Sequence, residues 1–109
     1  NSTMPFTLIY ITNPNAQIAE NIGHQLVKKK LVACANIFPI SSVYWWQGNI
    51  ESDKEVVLIV KTSNKLLSAV SQFVAAIHPY TTPCILHWQV NANIEYETWI
   101  EEQVLDNLS

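Results

Sequence analysis

The chain predicts an α+β fold of the ferredoxin-like, split βαβ kind: a four-stranded antiparallel sheet in the order β-α-β-β-α-β, followed by a C-terminal helix. Two observations predict it. Two long apolar runs, residues 31–46 and 50–60, flank Gln47-Gly48-Asn49. Gly and Asn tolerate the positive φ of a tight turn, so the runs form one hairpin. Outside that hairpin, on each side, stands a segment with apolar residues at helical spacing and then a short run rich in β-formers. Right-handed crossovers place both helices on one face of the sheet and leave the other bare.

Residues 6–12 are compact and apolar, a buried first strand. Asn13-Pro14 reads as a helix start, with Asn as N-cap and Pro at the first helical position. Ile18, Ile22 and Leu26 then recur every four residues, and the helix ends near Lys30. Thr62-Ser63 offers a second N-cap, Leu66, Val70, Phe73 and Ile77 form the next apolar stripe, and Pro79 stops it. Residues 84–90 make the last strand, with Cys84, Leu86, Trp88 and Val90 on the face read as core, and Ile85, His87 and Gln89 on the other. Tyr96, Trp99, Ile100, Gln103 and Val104 mark a short third helix. Residues 1–3 ahead of Met4 read as an expression remnant, leaving 4–109 as one domain.

The hairpin is too long for its own domain. Fourteen residues from Ala33 to Trp46 span about 45 Å, against a diameter of about 35 Å for a domain this size. Burying one Trp is worth about 4–5 kcal/mol as an upper estimate, and a solvated arm bearing Tyr44, Trp45 and Trp46 forfeits it. Residues 31–40 and 56–60 are also apolar at successive positions, the pattern of strands covered on both sides. One helix layer cannot do that. The expectation is self-association, with Tyr44, Trp45, Trp46 and Trp99 as interface residues.

Hydrophobic residues make up 49% and charged ones 14%, lean in charge for a small soluble monomer. No run suggests a membrane span. All six cations are lysines, so the planar guanidinium fork that reads phosphates and guanine is missing, and nucleic-acid binding is not expected. Lys28, Lys29 and Lys30 complement a helix C-terminus. Glu95, Glu97, Glu101, Glu102 and Asp106 read as the solvated face of the last helix. Two cysteines, Cys34 and Cys84, make no disulfide framework, and the expected setting is the reducing cytoplasm.

Neither a glycine-rich phosphate loop nor a nucleophile elbow is present, and the chain is read as non-enzymatic. The residues left to carry chemistry are Cys34, Asn36, Lys61, His78, Tyr80 and Cys84. Each also has a plainer role: Cys34 and Cys84 as small core residues, His78 as a cap on helix carbonyls, His24 and His87 as exposed side chains. Lys61 ends a buried strand, so it needs either an acid such as Glu55 of another subunit or an anionic ligand.

Ala33-Cys34-Ala35-Asn36-Ile37-Phe38-Pro39, Ser42-Val43-Tyr44-Trp45-Trp46-Gln47-Gly48, Lys61-Thr62, His78-Pro79-Tyr80 with Pro83, and Tyr96 with Trp99 resemble the CutA divalent-cation-tolerance family in a single register. The resemblance implies a ferredoxin-like homotrimer whose arms pair between subunits, a role in divalent metal-ion tolerance, and a likeness to nitrogen-regulatory PII proteins. The family pattern has Glu where this chain has Thr81 and Cys84. Cys84 offers a soft thiolate, which favours copper(I) or zinc over magnesium or manganese. The metal candidates are then Cys34, His78 and Cys84, with Lys61, Tyr80 and Asn36 lining clefts between subunits and copper as the expected ion. The rival readings are a PII-like sensor of a small anionic metabolite, with Lys61 as its cation, and a trimeric scaffold that docks another protein.

Overall fold

The computed structural model describes residues 4–105. Asp106 and residues 1–3 lie outside them. The elements run β1 (Phe6–Asn13), α1 (Ala16–Lys28), β2 (Cys34–Trp46), β3 (Asn49–Ser63), a 3₁₀ turn (Asn64–Leu66), α2 (Leu67–Ile77), β4 (Ile85–Val90) and α3 (Ile94–Gln103). The sheet order is β2-β3-β1-β4, and every neighbouring pair is antiparallel. This is the predicted α+β, ferredoxin-like arrangement.

The hairpin closes on two residues, because Trp46 pairs with Asn49. Gln47 at φ 49° and Gly48 at φ 82° occupy the left-handed region together, the conformation whose twist matches that of the flanking strands. From there β2 and β3 stay in register to Cys34 opposite Lys61. The arm stretches the chain to 45 × 30 × 21 Å. Val43 and Trp45 are 72% exposed on it, Ile50 64% and Trp46 58%.

Helix α1 begins later than expected. Asn13 stays in β1 opposite Val56, and its side-chain amide donates to the carbonyls of Ile11 and Val56. Asn15 is the cap, accepting from the Ile18 N–H at 2.9 Å. Asn15→Ala is expected to cost about 1 kcal/mol, read as a shift in denaturant midpoint at unchanged slope. Ser63 likewise ends β3 and offers no side-chain cap, so α2 starts only after the 3₁₀ turn.

Helices α1 and α2 cover the face carrying Ile9, Ile11, Leu58 and Val60, all fully buried with Ile22, Leu26, Val70 and Val74. Gly23 lets α1 approach closely: a Cβ there would stand 3.1 Å from Leu58 Cδ1 and 3.2 Å from Ala35 Cβ. Strand β4 turns over relative to the expectation. Ile85 pairs with Ile11 and packs into this core, whereas Leu86 and Trp88 lie 54% and 44% exposed on the opposite face.

That opposite face is not wholly bare. Helix α3 packs on its Phe6 end, with Tyr96 edge-on to Phe6. Glu97 is fully buried rather than solvated, and its two carboxylate oxygens accept the backbone N–H groups of Met4 and Ala92. The acidic run of the last helix therefore contains one structural carboxylate, which ties the start of the chain to the turn before α3.

Candidate functional site

The sheet face away from α1 and α2 has two closed ends and an open middle. Regular pairing puts Leu8, Tyr10, Ile59, Asn36, Leu86 and Trp88 on that face between the ends. Asn36 is exposed there.

At one end α3 lies over Lys61 and Cys34, which pair across β3 and β2. The Lys61 ammonium donates to the Tyr96 hydroxyl at 3.1 Å and sits 5.2 Å from the Tyr96 ring centre. That hydroxyl lies 3.6 Å from the Cys34 sulfur, and Trp99 stacks on the Tyr96 ring. Within its own chain Lys61 is thus held by a phenol and a π-face. Desolvation pulls its pKa down, but the Tyr96 bond and the neighbouring Cys34 and Tyr96 groups outweigh it, and the balance lies above the ordinary 10.5. A raised folded-state pKa stabilises fully below the unfolded value and loses that stabilisation as pH climbs through the folded one. The melting temperature of the parent chain should therefore fall above pH 10.5 more steeply than that of Lys61→Met, while at pH 7 the two should differ by less than about 1 kcal/mol.

At the other end the 78–84 loop folds against the base of the arm. His78 is buried, and its backbone N–H caps the Val74 carbonyl at 2.9 Å. Its ring does something else. Nδ1 accepts the Tyr80 N–H at 3.1 Å, and Nε2 donates to the Thr12 carbonyl at 2.9 Å. A carbonyl only accepts and an amide only donates, so the ring is the neutral Nε2–H tautomer with both nitrogens engaged. The loop thereby sets Tyr80 over the sheet, where its hydroxyl donates to Glu55 at 2.8 Å. Tyr44 donates likewise to Asp53. That bond, more than any other cause, pushes the Tyr44 pKa up to about 12. Burial first, then the Glu55 bond, raises that of Tyr80. Both phenols stay protonated as donors.

Between loop and arm lies a cavity of about 920 Å³, walled by Tyr44, Trp46, Tyr80 and Cys84 and floored by Glu51, Asp53 and Glu55. Glu51 and Asp53 are absent from the sequence-derived candidates, and Glu55 enters there only as a partner for Lys61, because none of them looks buried. The signal was their alternation: residues 51, 53 and 55 of a strand share one face.

The predicted metal set is split between these two ends. Cys34 stands at the register of Leu8, and Cys84 precedes the partner of Ile11, so their strands carry them about 10 Å or more apart. The structure brings Cys34 to Lys61, and His78 and Cys84 to Tyr80. With both His78 nitrogens occupied, the thiols receive no imidazole from it. Among the described residues no group of three or more His, Cys, Asp and Glu side chains is placed to hold a metal ion.

Fold and site together define a ferredoxin-like α+β protein with an overlong arm and an acidic, aromatic cleft along it. The chain belongs to the CutA1 divalent ion tolerance protein family, whose model matches residues 7–103. The divalent-cation tolerance protein CutA of Archaeoglobus fulgidus is 46% identical over 97 residues, covering 88% of this chain and 95% of that protein. Its namesake from Thermotoga maritima is 42% identical over 99 residues, covering 90% and 98%. Among solved structures, the A. fulgidus protein, described as periplasmic, superposes with a TM-score of 0.88 at 44% identity, covering 92% of this chain and 99% of that one. Rice CutA1 superposes at 0.91 with 34% identity, covering 98% and 100%.

Proposed function

We propose that this chain works as a non-enzymatic homotrimer of divalent-cation tolerance, holding metal ions, copper foremost, weakly at clefts between subunits. The observation that carries the assembly is the arm: it stands clear of its own domain with Val43, Trp45, Trp46 and Ile50 largely exposed. The unpaired edges of β2 and β4 and the open apolar middle of the sheet support it. Burying such surface against further copies recovers hydrophobic free energy that one subunit leaves in water. The family name supports the cation role.

Because no single chain converges three donors among its described residues, a bound ion takes ligands from more than one subunit, with Cys84 at the cleft as the soft donor. Weak binding follows from that sparse set. Cytoplasmic placement belongs to this reading and rests on the free thiols of Cys34 and Cys84, which a reducing compartment preserves. Light scattering on the purified chain should give three times 12.4 kDa. A copper titration should saturate and weaken at least tenfold in Cys84→Ser. A monomeric mass at micromolar concentration, or a Cys84→Ser isotherm identical to that of the parent, overturns the corresponding half.

A further inference from the structure

His78 holds the 78–84 loop through a pair of hydrogen bonds that only a neutral ring can make. Nδ1 accepts the Tyr80 N–H at 3.1 Å, while Nε2–H donates to the Thr12 carbonyl at 2.9 Å. A proton added at Nδ1 turns that acceptor into a donor. Donor then faces donor, and the Tyr80 N–H loses its partner in a place where the ring is only 9% exposed. The bond to Thr12 survives and strengthens, because its donor becomes charged. The charged ring therefore keeps its hold on β1 and lets go of Tyr80. The neighbouring elements accommodate that charge. Helix α2 ends at His78, and the negative end of a helix favours a cation. Strand β3 presents Glu55, bonded to the Tyr80 hydroxyl at 2.8 Å. Strand β1 presents the uncharged Thr12 carbonyl. On the loop itself the Tyr80 ring lies 4.8 Å from the imidazole, and its phenol stays protonated.

We propose that His78 is a proton-operated latch on the cleft. The neutral ring holds residues 79–84 against the arm; the charged ring frees them, drawing Tyr80 off Glu55 and opening the wall that Tyr80, Thr81, Thr82 and Cys84 form. The latched loop excludes a proton that the free loop binds, so closure is complete at high pH and is lost as pH falls. The latch lies within one chain and works whether or not the cleft takes metal.

Two-dimensional NMR of the full-length protein during stepwise acidification, without metal, tests it. The His78 ring signals and the Tyr80 amide should move together with one midpoint, while the β1 and β3 amides keep their positions. Protection of the Tyr80 amide, corrected for intrinsic exchange, should fall about tenfold or more across that step. In His78→Asn the side-chain oxygen stands near the Nδ1 position and accepts the same N–H, but takes no proton. There the Tyr80 amide should hold still, while His24 and His87 titrate as in the parent. Glu55→Gln removes the acid on the Tyr80 hydroxyl and should leave the coupled shift in place. A His78 ring that charges with the Tyr80 amide unmoved overturns the latch. So does a Tyr80 shift that persists in His78→Asn or vanishes in Glu55→Gln, or protection lost only when the whole sheet unfolds.

Discussion

A Trp46→Glu chain is expected to sediment as a single 12.4 kDa chain at micromolar concentration, against three times that mass for the proposed trimer of the parent. Trp46 pairs with Asn49 at the tip of the arm and is 58% exposed in its own subunit, so the substitution removes little intrasubunit packing. In the proposed trimer the same side chain is covered. A carboxylate there must be desolvated without a partner, at several kcal/mol in each of three copies. Circular dichroism should stay native, because the tip turn depends on Gln47 and Gly48. An unchanged mass would place the interface elsewhere.

The second large effect lies under α1. Leu58→Ala is expected to cost about 2–5 kcal/mol, since the side chain is fully buried where the helix crosses the sheet. Gly23→Ala alone should also destabilise, because its new Cβ meets Leu58 Cδ1 at 3.1 Å and Ala35 Cβ at 3.2 Å in a packed core. Together they should cost less than their sum. Removing the Leu58 methyls opens the space that the added methyl on α1 enters, and helix propensity then returns about 1 kcal/mol. Strictly additive losses in a denaturant double-mutant cycle would show that Ala35 alone sets the approach.

The architecture was legible because each element carries its own period, and the turn chemistry at Gly48 tied the two longest runs together. Boundaries were less so. Asn13 and Asn15 are both good caps, and pairing with Val56 retained the first in the sheet. The inward face of β4 could not be read from β4, since its more apolar side, Leu86 and Trp88, lies on the open face of the sheet while Ile85 packs under the helices. The site was legible only in its members. Lys61, Cys34, His78, Tyr80 and Cys84 all lie on or beside the second sheet face, but strand register separates them into two groups. That His78 is neutral and fully hydrogen-bonded depends on Thr12, sixty-six residues earlier, which no local pattern contains.

The uninterrupted β2–β3 ladder also has a consequence for the order of events after synthesis. Thirteen partner pairs, from Trp46–Asn49 out to Cys34–Lys61, form around one reverse turn, so half of the sheet closes with little chain entropy lost per contact. The arm can zip within microseconds, whereas in the proposed trimer its cover arrives by diffusion at a rate that depends on concentration. On that proposal, newly made chains pass through an interval in which a finished ribbon bearing two tryptophans is in water. Lys54, Glu51 and Asp53 on that ribbon act as gatekeepers, keeping like ribbons from stacking edge to edge before correct partners meet.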